Sequence, residues 1–409
     1  MNRPEYGPAW FVSPWNFRPE AGAPAAPRLV LHDVTLRDGE QMAGVIFTAD
    51  EKIEIAAALD RMGVDRIEAG MVAVSAEDRE AIKAIVAAKP AAEIWTIVRC
   101  VPRDVEMALE CGVAGAGVVL LANEQYCRIF RWTLEEAMQK AVTTAGQARG
   151  AGLKTTLLIA DSTRMTDERL RFILEYAERS GHFGAVALMD TFGALSPHGT
   201  RAMLAGVRRM TSLPIEFHAH NDFGVGTANA LAALADGVTI IHGSIIGLGE
   251  RIGNCPLEEV VLAARLLYGA ETRVDLGQLT AVGRLVSERA GVRVAQNKPV
   301  LGENYTRIES GSVASEFLRW SAMPDADPQW MFPYVPSVVG APPVELVLCK
   351  LSGLANVEAA LAKTGQQVPE DRRPAILEAL KAEATRLHRE LTLDEFRALV
   401  ARTAARVPV

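Results

Sequence analysis

The chain has 409 residues, of which 49% are hydrophobic and 23% charged, which suits a globular protein with a sizeable core. A formal charge of −7 disfavours nucleic acid or an anionic membrane as the main partner. No run of about 18 apolar residues is available to cross a bilayer, and no basic segment leads into an apolar leader, so the sequence reads as cytoplasmic. The five cysteines, Cys100, Cys111, Cys127, Cys255 and Cys349, form no CxxC and are odd in number, as expected of reduced thiols.

Residues 1–27 are proline-rich and carry Trp10, Phe11, Trp15 and Phe17. Proline excludes a long helix or a central strand there. The aromatic content favours an arm packed on the body or on a neighbouring subunit over a disordered tail. From residue 28 to 275 a β-prone run and a helical run alternate. Strands are predicted near 29–34, 65–69, 93–98, 115–121, 154–160, 184–190, 214–219 and 238–243. Helices are predicted near 49–62, 76–88, 103–111, 133–151, 166–180, 198–210, 225–236 and 256–268. That count and length suit a (β/α)8 TIM barrel. A doubly wound sheet would show a Gly-rich loop after its first strand, and none is there. Residues 276–409 read as a connector, irregular and proline-rich over 293–345, followed by a small helical subdomain over 355–363, 370–389 and 393–405.

Polar residues follow the apolar strands. Arg37, Asp38, Glu40 and Gln41 come after the first, Glu68 after the second, Arg99 after the third and Asn123 after the fourth. Asp161 follows the fifth, Asp190 and Thr191 the sixth, and Gly247 to Asn254 the eighth. A barrel gathers these strand ends at one mouth, where such enzymes keep their sites. His218 and His220 end the seventh strand. At spacing i and i+2 they face the same way and converge on one point. The alternative is a pair of structural histidines. Asp222 is placed to orient an imidazole.

Asp38, His218, His220 and Asn254 form a mixed oxygen and nitrogen set from strands one, seven and eight. Such a set suits Mg²⁺, Mn²⁺, Zn²⁺ or Fe²⁺ with open positions for a chelating 2-oxo acid. Arg37 can stabilise a developing oxyanion, or be consumed by an ion pair with Glu68 or Asp190. Thr191 can hydrogen-bond a substrate carboxylate, or be a turn residue. Glu40 is a further catalytic candidate at the mouth, and Gln41, Arg99, Asn123 and Tyr126 are candidate substrate contacts. The run Gly247 to Asn254 is spaced GxGxxxG and is a poor match to a phosphate-cradling loop.

Val34 to Gln41 resembles the DxTLRDGEQ signature of the isopropylmalate, homocitrate and citramalate synthase family, within the DRE-TIM metallolyase superfamily. Residues His218 to Gly224 with Ala228-Asn229-Ala230 resemble its HxHND…AN segment. Gly247 to Asn254 resembles GxGERxGN, Asp190 to Gly193 resembles DTxG, and Lys350 to Gly353 resembles GKxSG. The resemblance implies condensation of an acyl-CoA such as acetyl-CoA with a metal-bound 2-oxo acid, then thioester hydrolysis. It implies Asp38, His218 and His220 as ligands with Asn254 near or fourth, Arg37 on the oxyanion and Thr191 on the carboxylate. It also implies a homodimer in which the downstream segment completes the partner's site.

Two departures stand out. Ala160 occupies the position of the family's catalytic Glu after strand five, and Ile308 and Val313 occupy those of its histidines beyond the barrel. Asp161 and Glu309 are the nearest replacement acid–base groups. Cys255 follows Asn254 and reads as structural, not as the loop thiol of the related lyases. A metal-dependent lyase or aldolase and a non-catalytic metal-binding relative are the rival readings.

Overall fold

The computed structural model describes residues 6, 7, 9–18, 20, 27–324, 326, 327 and 329–404. Eight parallel strands close into a barrel: β1 (Val30–Asp33), β2 (Arg66–Met71), β3 (Glu93–Val98), β4 (Gly115–Leu120), β5 (Lys154–Ile159), β6 (Ala185–Asp190), β7 (Ile215–Ala219) and β8 (Ile240–Gly243). Each strand pairs with the next, and β8 returns to β1. This is the (β/α)8 fold that the alternating pattern predicts. Strands such as β6 are buried along their whole length, as a parallel sheet covered on both faces requires.

The helices outside the wall are α1 (Ala49–Met62), α2 (Ala76–Ala87), α3 (Pro102–Cys111), α4 (Glu124–Phe130), α5 (Leu134–Gly150), α6 (Asp167–Ser180), α7 (Pro197–Val207), α8 (Gly226–Ala235), α9 (Leu257–Leu267) and α10 (Leu279–Ala290). Their starts are written in the sequence. Thr48 with Glu51, and Thr133 with Glu136, form reciprocal capping boxes on α1 and α5. Glycine in the left-handed region ends α1, α3 and α6.

The chain divides into two compact units. One holds Val12–Val294, and the other Tyr6–Phe11 with Ala295–Val409. In the second unit Tyr6–Gly7 pairs antiparallel with Trp10–Phe11. The Phe11 N–H donates to Pro333 O (2.8 Å), and Trp10 bridges Tyr334. The same unit has α11 (Gly311–Ser321), α12 (Leu354–Thr364), α13 (Arg373–Leu387) and α14 (Leu393–Ala404). Val357, Leu361, Ile376, Leu380 and Phe396 form its core.

Two helices depart from the sequence reading. α11 lies inside 293–345, which reads as irregular; it occupies the proline-free interval between Pro299 and Pro324. The short α4 follows strand four because Asn123 caps it, accepting from the Tyr126 N–H at 2.7 Å. No helix among the described residues is long and apolar enough to cross a membrane.

Candidate metal centre

The turn after β1 hangs on one carbonyl. Val34 O accepts the N–H groups of Arg37, Asp38 and Gly39 at 3.2, 2.8 and 3.0 Å. Asp33 clamps the start of that turn by accepting the Thr35 N–H (2.9 Å) and hydroxyl (2.8 Å). Asp38 is thereby turned inward. His218 Nε2 lies 3.4 Å and His220 Nε2 3.8 Å from Asp38 Oδ2. Candidate ligand atoms of the three residues all fall within 4.8 Å of one another, and all three residues are buried.

The loop after β8 closes the other side. The Asn221 N–H donates to Gly253 O (2.9 Å), and Asn254 bridges His220. Gly253 sits at φ +99°, where a Cβ would stand 1.9 Å from Gly247 O, so only glycine allows this crossing. The Asn254 amide donates to Leu248 O at 2.9 Å, leaving Oδ1 buried without a partner. The Glu250 N–H donates to Asp38 Oδ1 at 3.3 Å. At least that backbone amide of the Gly-rich run serves the carboxylate rather than a phosphate.

Electrostatics prepare the set for a cation. Burial alone would raise the Asp38 carboxyl; Arg37, His218 and His220 outweigh it and hold the group well below the usual carboxylate range. Burial lowers His218, and burial with the neighbouring His218 pushes His220 down to about 4. The imidazoles are therefore neutral at neutral pH, with lone pairs available. Both ring nitrogens of His218, Nδ1 of His220 and Oδ1 of Asn254 have no hydrogen-bond partner. Buried unpaired polar atoms are costly, and an ion here would recover one ring nitrogen of His218 together with the Asn254 oxygen.

A second cluster, His32, Glu216 and His242, lies inside the barrel and escapes the sequence reading. Its signal is strand alternation, since Glu216 is two residues before His218, and β8 aligns His242 with both His218 and His32. This cluster does not fit a cation. Glu216 already accepts from Arg66 (2.8 Å), Thr156 (3.1 Å) and His242 (2.9 Å). The His32 and His242 rings stack at 4.2 Å and 18°, so their in-plane lone pairs run nearly parallel and do not converge.

Arg37 is fixed by three acceptors: Glu68 Oε2 on Nε (2.5 Å), and Asp38 Oδ2 (2.8 Å) and Gln41 Oε1 (3.2 Å) on Nη1. Its Nη2 is buried and unpartnered. The ion pair with Glu68 and a free donor thus coexist. Asp190 is not part of this pairing; it accepts from Thr163 and from the Ala194 and Leu195 N–H groups, shaping the turn that carries Thr191. Thr191 Oγ1 accepts from the Asp161 N–H at 2.8 Å, which leaves its hydroxyl proton free to donate.

The other predicted residues are placed as follows. Glu40 pairs with the buried Lys52 (2.6 Å) and accepts from the Phe47 N–H (2.9 Å). Arg99 forks onto buried Asp104 at 2.8 and 2.9 Å. Asn123 caps α4 and donates to Asp161. Asp161, at φ 55°, also takes a fork from Arg164 at 2.6–3.0 Å. Tyr126 stands near enough to Asp161 and Glu250 to feel their charge; burial first, then these carboxylates, raises its phenol. Asp222 does not orient an imidazole; Arg251 takes both its oxygens at 2.9 and 3.0 Å. Arg164 and Arg251 flank the Phe192 ring at 4.2 and 5.1 Å, beside Thr191. Glu309 belongs to the second unit and accepts from the Leu351 N–H at 3.0 Å. Cys255 is buried with Sγ 3.1 Å from His242 O, and burial pushes its thiol up to about 12.

A family model described as HMGL-like matches residues 28–286. The chain belongs to that family. It is 34% identical to homocitrate synthase AksA of Methanothermobacter thermautotrophicus, over 91% of this chain and 93% of the relative. It is 34% identical to (R)-citramalate synthase CimA of Methanocaldococcus jannaschii, over 86% and 70% respectively. Identity to 2-isopropylmalate synthase of the same organism is 33%, over 84% of this chain and 65% of that one. Among solved structures, the HMG-CoA lyase of Bacillus subtilis superposes with a TM-score of 0.61 at 24% identity, covering 66% of this chain and 95% of that chain, and so shares the fold.

Proposed function

We propose that this HMGL-like protein condenses an acyl-CoA of the acetyl-CoA type with a 2-oxo acid and that water then hydrolyses the thioester of the adduct, giving a 2-hydroxy dicarboxylate and free CoA. The observation that carries this reading is the convergence of Asp38, His218 and His220 beside the unpartnered Nη2 of Arg37. A divalent ion held by those three, with Asn254 Oδ1 close by, would polarise the ketone of the oxo acid as a Lewis acid. Arg37 Nη2 donates to the oxygen on which negative charge grows as the carbon–carbon bond forms. The Thr191 hydroxyl donates to the oxo-acid carboxylate, beside the Phe192 ring that Arg164 and Arg251 flank. Arg37 keeps its orientation through Glu68.

The homocitrate, citramalate and isopropylmalate synthases among the relatives support an acyltransferase of this kind. For proton transfer, both oxygens of Asp161 are engaged by Arg164, with Asn123 adding to one of them. We therefore assign the proton transfer to Glu309, acting from a segment that we propose completes the site of a partner in a homodimer. The test measures CoA release from acetyl-CoA across a panel of 2-oxo acids, with and without EDTA, together with solvent exchange of thioester α-protons in Asp161→Asn and Glu309→Gln. Saturable, EDTA-sensitive release with one oxo acid, and exchange lost in Glu309→Gln alone, is expected. No release with any pair, alongside cleavage of a 3-hydroxyacyl-CoA, would replace condensation by the lyase reading.

A further inference from the structure

A cavity of about 300 Å³ lies between the ends of β3 and β4 and the start of α5, and none of the residues lining it belongs to the metal centre. Leu120 of β4 and Ala137 of α5 line it, with Leu121, Val101 and Phe130. Leu120 is one residue out of phase with Val119, which packs with Ile97 and Leu158 on the inner face, so it points outward. The volume lies at the small end of the ligand-pocket range of about 300–1,000 Å³.

One polar group at this cavity has nothing to bond, and one cation beside it has no carboxylate. The Trp132 indole N–H is buried without an acceptor. Leaving such a donor unmade is unfavourable, and a ligand acceptor would recover it. Lys140 Nζ sits 4.5 Å from the Trp132 ring centroid and has no carboxylate partner among the described residues. The other cation, Arg99, is neutralised by its fork onto Asp104. The Cys100 thiol, pushed up to about 12 by burial, stays uncharged. One solvent-reaching ammonium without a carboxylate partner and one free indole N–H therefore border a largely apolar chamber. Trp132 is held there by its own N–H on Cys127 O (3.1 Å), after Arg131 turns the chain at φ 56°. Phe130 stacks on it at 4.7 Å.

We propose that this cavity is a second binding site, separate from the metal centre, for a small apolar carboxylate. The carboxylate pairs with Lys140 and accepts from the Trp132 N–H, while a branched aliphatic or phenyl group fills the space against Leu120, Leu121 and Ala137. A cationic or neutral ligand of the same shape lacks that complement and is rejected.

Calorimetric titration of the full-length, EDTA-treated protein with isovalerate and with phenylacetate tests this, with isoamylamine as the charge-reversed control. The readout needs neither metal nor turnover, so it stands or falls apart from the condensation reading. At least one acid should bind saturably. Lys140→Met should weaken it tenfold or more, Trp132→Phe severalfold, and Lys140→Arg should keep affinity within about threefold of wild type. Lys140 is exposed, so its variants keep the fold, which a melting curve verifies. Absence of saturable binding below about 10 mM, equal affinity in Lys140→Met, equal affinity for isoamylamine, or loss of binding in His218→Ala instead would each overturn the proposal.

Discussion

Arg37→Lys is expected to slow turnover by about 10²–10³-fold, or roughly 2.7–4 kcal/mol, the size of one lost oxyanion donor. The guanidinium uses Nε for Glu68 and Nη1 for Asp38 and Gln41, and keeps Nη2 in reserve. A lysine ammonium is a single point on a flexible stem. It can neutralise Glu68 or sit against Asp38, but it has no second planar arm to present to substrate. The positive charge survives, so Asp38 stays ionised and metal content should hold. The assay pairs a thiol-release rate under saturating substrates with elemental analysis of the purified variant and a melting curve. A kcat loss with unchanged metal content supports the free Nη2 as the donor. A variant within a few-fold of wild type would refute the assignment. One that unfolds or loses metal in proportion to activity would make Arg37 a structural counter-ion to Glu68 and Asp38.

His218→Ala and His220→Ala should each abolish turnover and reduce bound divalent metal well below one per chain, read by elemental analysis after dialysis; His32→Phe should leave the metal count unchanged, because the inner cluster does not converge on an ion. Asp33 is buried, and burial with Glu68 and Glu258 nearby raises its carboxyl to about 7. The folded state then holds its proton longer than the unfolded chain, so this group's contribution to stability falls as pH rises from about 4 to about 7. Asp33→Asn removes that slope; a denaturation midpoint that shifts by the same amount at pH 5.5 and pH 8 would contradict it. Gly253→Ala should cost roughly 1–3 kcal/mol and weaken metal retention, because the Cβ would meet Gly247 O; unchanged melting temperature and metal content would show that the loop yields.

Alternation of apolar strands and capped helices was enough to read the barrel, because each βα unit repeats one local logic. The approach of His218 to His220 was legible for the same reason: i and i+2 on a strand is a geometric statement. What stayed hidden depends on contacts across the barrel. Nothing local pairs Glu40 with Lys52 or Asp222 with Arg251. Charged residues near a mouth look alike in sequence until their partners are known. The inner cluster was missed because strands one, seven and eight each supply a single residue to it, His32, Glu216 and His242, so no i and i+2 pair within one strand marks it. α11 was hidden by the prolines on either side of it.

The two departures from the synthase pattern are structurally quiet. Ala160 is buried at the end of β5, and Ile308 is buried within a short strand pair, hydrogen-bonded through its carbonyl to the Val347 N–H at 2.9 Å. These positions serve packing, and a glutamate or histidine at either would have to be desolvated. The groups around Asp38 show the opposite: Arg37, Glu68, His218 and Asn254 keep unpaired donors and acceptors in a buried site, at a cost to stability that packing does not explain. Selective loss of one half would leave ketone binding and activation intact while moving the proton step elsewhere. Oxo-acid binding to the metal-loaded protein should therefore be ordinary in affinity and insensitive to Asp161 and Glu309. Proton exchange on the thioester should carry the whole effect of those substitutions. If oxo-acid binding and exchange instead fall together, the two halves of the site are not separable and the departures have altered the metal centre as well.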